Sequence, residues 1–201
     1  DAPPLAPVAY RYRMFNVGNT PDPKKPDAID DRVKMIVRTQ LDAAMKGKQE
    51  EDLLLRLYAL NEVDAKLTNG IDWRQKIESQ RGAVLATELK NNSAKLARWT
   101  IQAMLASADI IKLGFVSRHH PGKATLHKVL GTQTYKTSEF ATQISLNTRN
   151  AWGILKQLVD FSLHLGEGRY LLLRDPNKPV IRFYTLPQEA FQPRVPSVLD
   201  E

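Results

Sequence analysis

The 201-residue chain contains no cysteine. That excludes disulfide staples, thiolate zinc sites and thiol nucleophiles, and makes a reducing, cytoplasmic compartment the expectation. It also lacks any apolar run near the ~20 residues that cross a bilayer, and any signal-like start, so no membrane partner is expected. The chain opens on Asp1 rather than methionine, which reads as a trimmed beginning. Its four histidines are scattered and form no zinc pattern. Acidic residues are the scarcer charge, 22 against 29 Lys and Arg, for a net charge of +7. From Ile110 to Ser138 they are absent, while Lys112, Arg118, Lys123, Lys128 and Lys136 stand there with His119, His120 and His127. Such a stretch is either a solvated basic face or a surface that meets phosphates.

What is present fits a globular chain. A hydrophobic share of 42% and a charged share of 25% allow a real core, and the length fits one domain. Six of the twelve prolines fall in the first 26 residues. Val8 to Met14 alternates Tyr10, Tyr12 and Met14 with Arg11 and Arg13, a half-buried strand pattern. Further strands are predicted over Arg32 to Leu41 and Leu53 to Leu60, with Met45 to Asp52 as a loop. Asp72 to Gly82 reads as a short helix or structured loop closed by the glycine. A strand over Ala83 to Lys90 precedes a helix capped by Asn92 or Ser93 and running to Ala106, its stripe made of Leu96, Trp99, Ala103 and Met104. Two strands follow, Ile110 to Arg118 and Thr125 to Thr134. An amphipathic helix spans Thr148 to Leu165 with Trp152, Leu155, Leu158, Val159 and Leu163 on one stripe. Arg169 to Arg174 and Val180 to Leu186 form a hairpin across Asp175-Pro-Asn-Lys-Pro179. Residues 1–186 are expected to form the body and 187–201 a loose tail. Interleaved strands and helices predict an α+β architecture of mixed sheets flanked by helices.

Two short stretches point to chemistry. Glu62 and Asp64 close one predicted strand, and Glu88 and Lys90 lie on another. Residues two apart on a strand share a face, so each pair can converge. Three carboxylates from neighbouring strands suit Mg²⁺, and a lysine beside them can hold a water or a phosphate oxygen. Phosphodiester hydrolysis needs that arrangement. Gln102, on the helix that follows, reaches toward the same pocket; its plain alternative is a solvent-facing side chain. Glu-x-Lys on a strand is more often an ordinary exposed face than part of a PD-(D/E)XK nuclease, which it resembles.

Longer runs are more specific. Asn69-Gly-Ile-Asp-Trp-Arg-Gln-Lys-Ile-Glu-Ser-Gln-Arg-Gly-Ala-Val-Leu-Ala-Thr-Glu-Leu-Lys-Asn-Asn-Ser93 closely resembles the D-subunit family of eukaryotic translation initiation factor 3. So do Lys95-Leu-Ala-Arg-Trp-Thr100, Lys112-Leu-Gly-Phe-Val-Ser-Arg118, Asn150-Ala-Trp-Gly-Ile-Leu155, Asp175-Pro-Asn-Lys-Pro179 and, upstream, Ala9-Tyr-Arg-Tyr-Arg13. The resemblance is weakest over residues 14–57.

The resemblance implies the C-terminal part of a single mRNA cap-binding domain, similar in fold to the decapping exoribonucleases of the DXO family. It implies a pocket similar to theirs at Glu62, Asp64, Glu88, Lys90 and Gln102, completed by an N-terminal half not recognisable here. Lys90, Lys112 and Arg118 would meet phosphates. The expected partners are capped mRNA, other subunits of initiation factor 3 and the small ribosomal subunit. The expectation is no enzymatic activity and no cofactor, with Mg²⁺ bound at Glu62, Asp64 and Glu88 only if a vestigial metal site is retained. Two alternatives stay open: a metal-dependent decapping or exonuclease-like enzyme, and a non-binding scaffold with a vestigial pocket. Among the aromatics, Trp99 and Trp152 read as core. Trp73 reads as packing under its loop, with stacking on a base or cap as the alternative.

Overall fold

The computed structural model describes residues 9–18, 33–63, 72–120 and 122–191. The chain divides into two compact units, residues 1–151 and 152–201.

The first unit holds a strand pair and a four-stranded sheet. β1 (Ala9–Asn16) and β2 (Lys34–Leu41) pair antiparallel from Ala9↔Leu41 to Asn16↔Lys34. The larger sheet joins β3 (Ala43–Lys46), β4 (Asp52–Asn61), β5 (Ile110–Arg118) and β6 (His127–Lys136) in that spatial order. β4 and β5 run parallel; the two outer pairings are antiparallel. The parallel connection between them carries α1 (Trp73–Lys76) and α2 (Arg81–Ala106), and α3 (Thr137–Gln143) follows β6.

β5 shows why this sheet forms. Its alternating Ile111, Leu113, Phe115 and Ser117 are all buried, with Ile111, Leu113 and Phe115 fully so. The three apolar side chains meet Leu60 of β4, Val84, Leu85, Leu96 and Ala103 of α2, and Phe140 of α3 in one apolar core. The opposite face of the sheet stays open. Leu57, Ala59 and Asn61 on β4 and Thr132 and Thr134 on β6 are exposed, flanking half-buried Lys112, Gly114 and Val116.

Four sequence-based expectations give way to the structure. Ala83 to Lys90 is helical, the first part of α2. The segment is rich in Ala, Leu, Glu and Lys, strong helix formers, and buries Val84, Leu85 and Glu88 at helical spacing. Asn92, at φ −129° and ψ 31°, interrupts the helix at the point where the sequence predicts a new one to start. Gly82 accordingly sits inside α2 instead of closing a helix. The predicted loop from Met45 contains the end of β3 before its turn.

The face of β1 is also reversed. Tyr10, Tyr12 and Met14 are more than half exposed. Arg11 and Arg13 instead reach the C-terminus of α2, where Arg13 Nη1 donates to the carbonyls of Leu105 (2.8 Å) and Met104 (3.2 Å), and Arg11 Nη1 to Ala106 (3.4 Å). Carbonyls of a helix's last turn have no helical donor and carry partial negative charge, so two guanidinium groups outcompete the apolar pattern. Past that end, Ser107 takes the left-handed conformation (φ 53°), and the N–H of Ala108 closes back on Ala103 (2.9 Å).

The second unit carries most of α4 (Thr148–Leu163), the hairpin β7 (Arg169–Arg174) and β8 (Ile181–Leu186), and a 3₁₀ turn Gln188–Phe191. The rest of the expected loose tail, from residue 192, lies outside the described residues. Phe161 and Phe183 bring their rings to 4.7 Å. In the hairpin turn, Asp175 Oδ1 accepts the N–H groups of Asn177 (2.9 Å) and Lys178 (3.2 Å), and Oδ2 accepts from Arg182 (3.1 Å). The stripe expected on α4 is present, but none of its residues is fully buried and Trp152 stays 37% exposed rather than entering a core.

Candidate functional site

Glu62 leaves β4 beside the end of β5, its N–H bonded to the Val116 carbonyl (2.8 Å). Its Oε1 accepts the N–H of Trp73 at the start of α1 (3.1 Å), and its Oε2 lies 4.0 Å from Arg74 Nε. Asp72 caps α1 by accepting from the N–H groups of Arg74 and Gln75. Arg74 Nη2 donates to Ser117 Oγ (3.1 Å) and to the Arg118 carbonyl. The ends of the two parallel strands are thus tied through one guanidinium. Trp73 is buried and packs edge-on to Phe115 at 5.4 Å, which makes it a packing residue. Asp64 lies outside the described residues.

Glu88, Lys90 and Gln102 all ride on α2. Glu88 is 9% exposed and its Oε2 accepts from Asn92 Nδ2 at the helix interruption (2.8 Å). Burial raises its pKa above the ordinary 4.5, against the Asn92 hydrogen bond and the charge of Lys95. Lys90 is exposed. Two residues along a helix is about 200° of turn, so Lys90 does not share the face of Glu88 as it would on a strand. Gln102 is exposed, its amide oxygen 3.4 Å from the Tyr58 hydroxyl, whose one hydrogen has a nearer acceptor in the Trp99 carbonyl (3.0 Å). No hydrogen bond or ion pair among the described residues joins Glu62 to Glu88, Lys90 or Gln102. Nor, among those residues, do three His, Asp or Glu side chains gather as a metal site would require. Glu62 serves a helix start and a guanidinium, and Glu88 an amide.

The raised pKa of Glu88 sets a pH dependence. Its contribution to stability is full below the unfolded value and is lost as pH rises through the folded one. Glu88→Gln, which keeps an acceptor for Asn92, is expected to be more stable than the parent at pH 7. The gain should fade toward pH 4. Chemical denaturation at the two pH values checks it; a variant less stable at pH 7 would contradict the sign.

Lys112 and Arg118 lie on the open face of the sheet. Register sets Lys112 between Leu57 and Thr134, and Arg118 opposite His127. Past Arg118 the chain turns through exposed His119 and His120, whose rings are 4.8 Å apart, to Lys123. The acid-free stretch of sequence is therefore one hairpin with a basic crest.

Sequence reasoning misses one cluster. Arg56, inside the apolar run of β4, is buried and pairs with Asp42 (Nη1 to Oδ1, 2.9 Å). Asp42 also accepts from Gln40 Nε2 (2.7 Å) and the Leu57 N–H (2.8 Å). Tyr58, next along, stacks on half-buried Trp99 at 4.6 Å. A lone arginine amid Leu53, Leu54, Leu55 and Leu57 is the available signal, since a buried charge needs a partner.

No helix among the described residues is long and apolar enough to cross a membrane. The chain is 50% identical over 191 residues to the D subunit of eukaryotic translation initiation factor 3 from Xenopus laevis, covering 95% of this chain and 32% of that protein. Against the Homo sapiens counterpart the identity is 49%, with 95% and 33% covered. The chain thus spans about a third of the length of the curated relatives it matches. Among solved structures, Scheffersomyces stipitis Rai1 in complex with (3′-NADP)⁺ and calcium ion aligns with a TM-score of 0.46 at 15% identity, over 78% of this chain and 38% of that one. Candida albicans Rai1 in complex with pU5-Mn²⁺ aligns with a TM-score of 0.44 at 17% identity, over 78% and 39%. The family model for eukaryotic translation initiation factor 3 subunit 7 matches residues 1–185, and the chain belongs to that family.

Proposed function

We propose that this chain is part of an initiation factor 3 subunit that acts in the cytoplasm on the 5′ end of capped mRNA, holding the RNA to promote cap-dependent initiation and not cutting it. The carrying observation is the acid-free hairpin β5–β6, with Lys112, Arg118 and His127 on the open face of the sheet. Cations on an open face neutralise phosphates at little desolvation cost and carry no sequence preference, which suits a factor that meets many messages. The engagement of Glu62 and Glu88 by neighbouring side chains and backbone supports binding without hydrolysis, and the reading calls for no cofactor. These residues supply one wall of the cap site; the remainder comes from parts of the longer protein outside this chain. Other initiation factor 3 subunits and the small ribosomal subunit are the protein-side partners in this reading.

Replacing Arg118 and Lys123 with alanine tests it. RNA binding should weaken for all sequences alike, and the slope of log affinity against log salt should shrink by up to about 0.7 per lost phosphate contact on a single strand. Fluorescence anisotropy with two unrelated oligonucleotides across a salt series reads this out. An unchanged slope would make the hairpin a solvated face only.

A further inference from the structure

A cleft of about 390 Å³ opens in the first unit where the β1–β2 pair, β4 and α2 meet, lined by Tyr10, Val37, Arg38, Arg56, Gln102 and Leu105 among others. We infer that this cleft is a nucleotide site: a phosphate of single-stranded RNA at Arg38 and Arg56, with its base or ribose against Tyr10. The inference rests on the RNA-binding reading above and adds a contact point separate from the β5–β6 hairpin.

The donor inventory favours an anion. The Arg56 side chain is only 9% exposed. Its Nη1 is used on Asp42 and its Nε on the Tyr58 hydroxyl (3.2 Å); among the described residues its Nη2 has no partner. A guanidinium has five N–H donors and no acceptor, and donors in so buried a group are ordinarily satisfied. No side-chain nitrogen or oxygen of the described residues is both fully buried and unpartnered, so Nη2 is not sealed in the core. Asp42 is already engaged by three donors, none of them Arg56 Nη2. Its Oδ1 already takes Gln40 and Arg56, and its Oδ2 the Leu57 N–H. Arg38 brings a second guanidinium, exposed and 4.8 Å over the Tyr10 ring, with no ion pair among the described residues. With Arg56 offset by Asp42, the cleft carries one uncompensated positive charge. Gln102, exposed at the cleft, adds its amide nitrogen as a further donor.

Size and shape narrow the anion. The volume falls within the ~300–1,000 Å³ of small-ligand pockets, more room than a bare phosphate needs. Planar guanidinium forks match two phosphate oxygens at once. Tyr10, 55% exposed with the Arg38 guanidinium over its ring, offers an aromatic surface against which a base can stack, a contact that tolerates every base.

The experiment titrates the 201-residue chain with uridine 5′-monophosphate, uridine and inorganic phosphate, following the arginine side-chain N–H resonances by NMR. The monophosphate should shift the signals of Arg38 and Arg56, and uridine alone should shift neither. Arg38→Ala removes an exposed side chain and should weaken monophosphate binding about tenfold, the loss of one charge-assisted hydrogen bond. Gln102→Ala, equally exposed, should weaken it less. Monophosphate that moves neither arginine would overturn the site, as would an affinity untouched by Arg38→Ala. Inorganic phosphate binding as tightly as the monophosphate would overturn the nucleotide assignment. The two readings fail separately. An intact cleft with an unchanged salt slope in the Arg118/Lys123 variant sinks the proposed RNA face, and a reduced slope with an empty cleft sinks this inference alone.

Discussion

Replacing Asp42 with alanine is expected to lower the unfolding free energy by about 3–5 kcal/mol, the cost of stranding one partner of a buried ion pair. The aspartate sits between β2 and β3 and is 12% exposed at its side chain, against 9% for Arg56. Its loss leaves the guanidinium without its counter-charge, Gln40 without an acceptor, and the Leu57 N–H of β4 unpaired. The guanidinium and the Gln40 amide are partly buried at these bonds, and an unmet buried donor costs about 1–3 kcal/mol by itself. Exchanging both members for apolar residues, Asp42→Leu with Arg56→Met, should recover much of the loss, because no charge is then stranded. Urea denaturation of the parent, the single and the double variant decides between the two outcomes. A single variant within about 0.5 kcal/mol of the parent, the range of ordinary surface changes, would show that the pair holds nothing together.

The sequence is most readable where pattern and burial agree. Ile110–Arg118 alternates so regularly that strand and bounds coincide with prediction, and Asp175-Pro-Asn-Lys-Pro179 marks its hairpin turn through side-chain acceptance of backbone N–H groups. It fails where a distant element intervenes. Nothing in the alternation of Tyr10 to Met14 announces that helix carbonyls 91–95 residues away will claim Arg11 and Arg13. Ala83 to Lys90 misleads differently. Its Glu-x-Lys spacing suggests a strand face, although Val84 and Thr87 are its only β-branched residues and the rest prefer a helix. That one change of secondary structure separates Glu88 from Lys90 and alters what the site can do. Of the residues named from sequence, Lys112 and Arg118 share an open face, whereas Glu62, Glu88 and Gln102 each have local partners of their own. The Arg38–Arg56 cleft is not legible in the chain, because it exists only where three elements converge.

The proposed division of labour within the longer protein has these residues grip the RNA backbone and form one wall of a cap site. Titrating the 201-residue chain with a capped RNA and with the same RNA bearing a 5′-triphosphate tests it most directly, with the matching titration of the longer protein alongside. One wall does not enclose the ~70–90% of a small ligand that specific pockets bury. The account therefore predicts equal affinity of this chain for both RNAs, weakening alike with salt, and a preference for the capped RNA only in the longer protein. A preference of about tenfold or more for the capped RNA by this chain alone, some ~1.4 kcal/mol, would place the whole cap pocket within these residues and contradict that division.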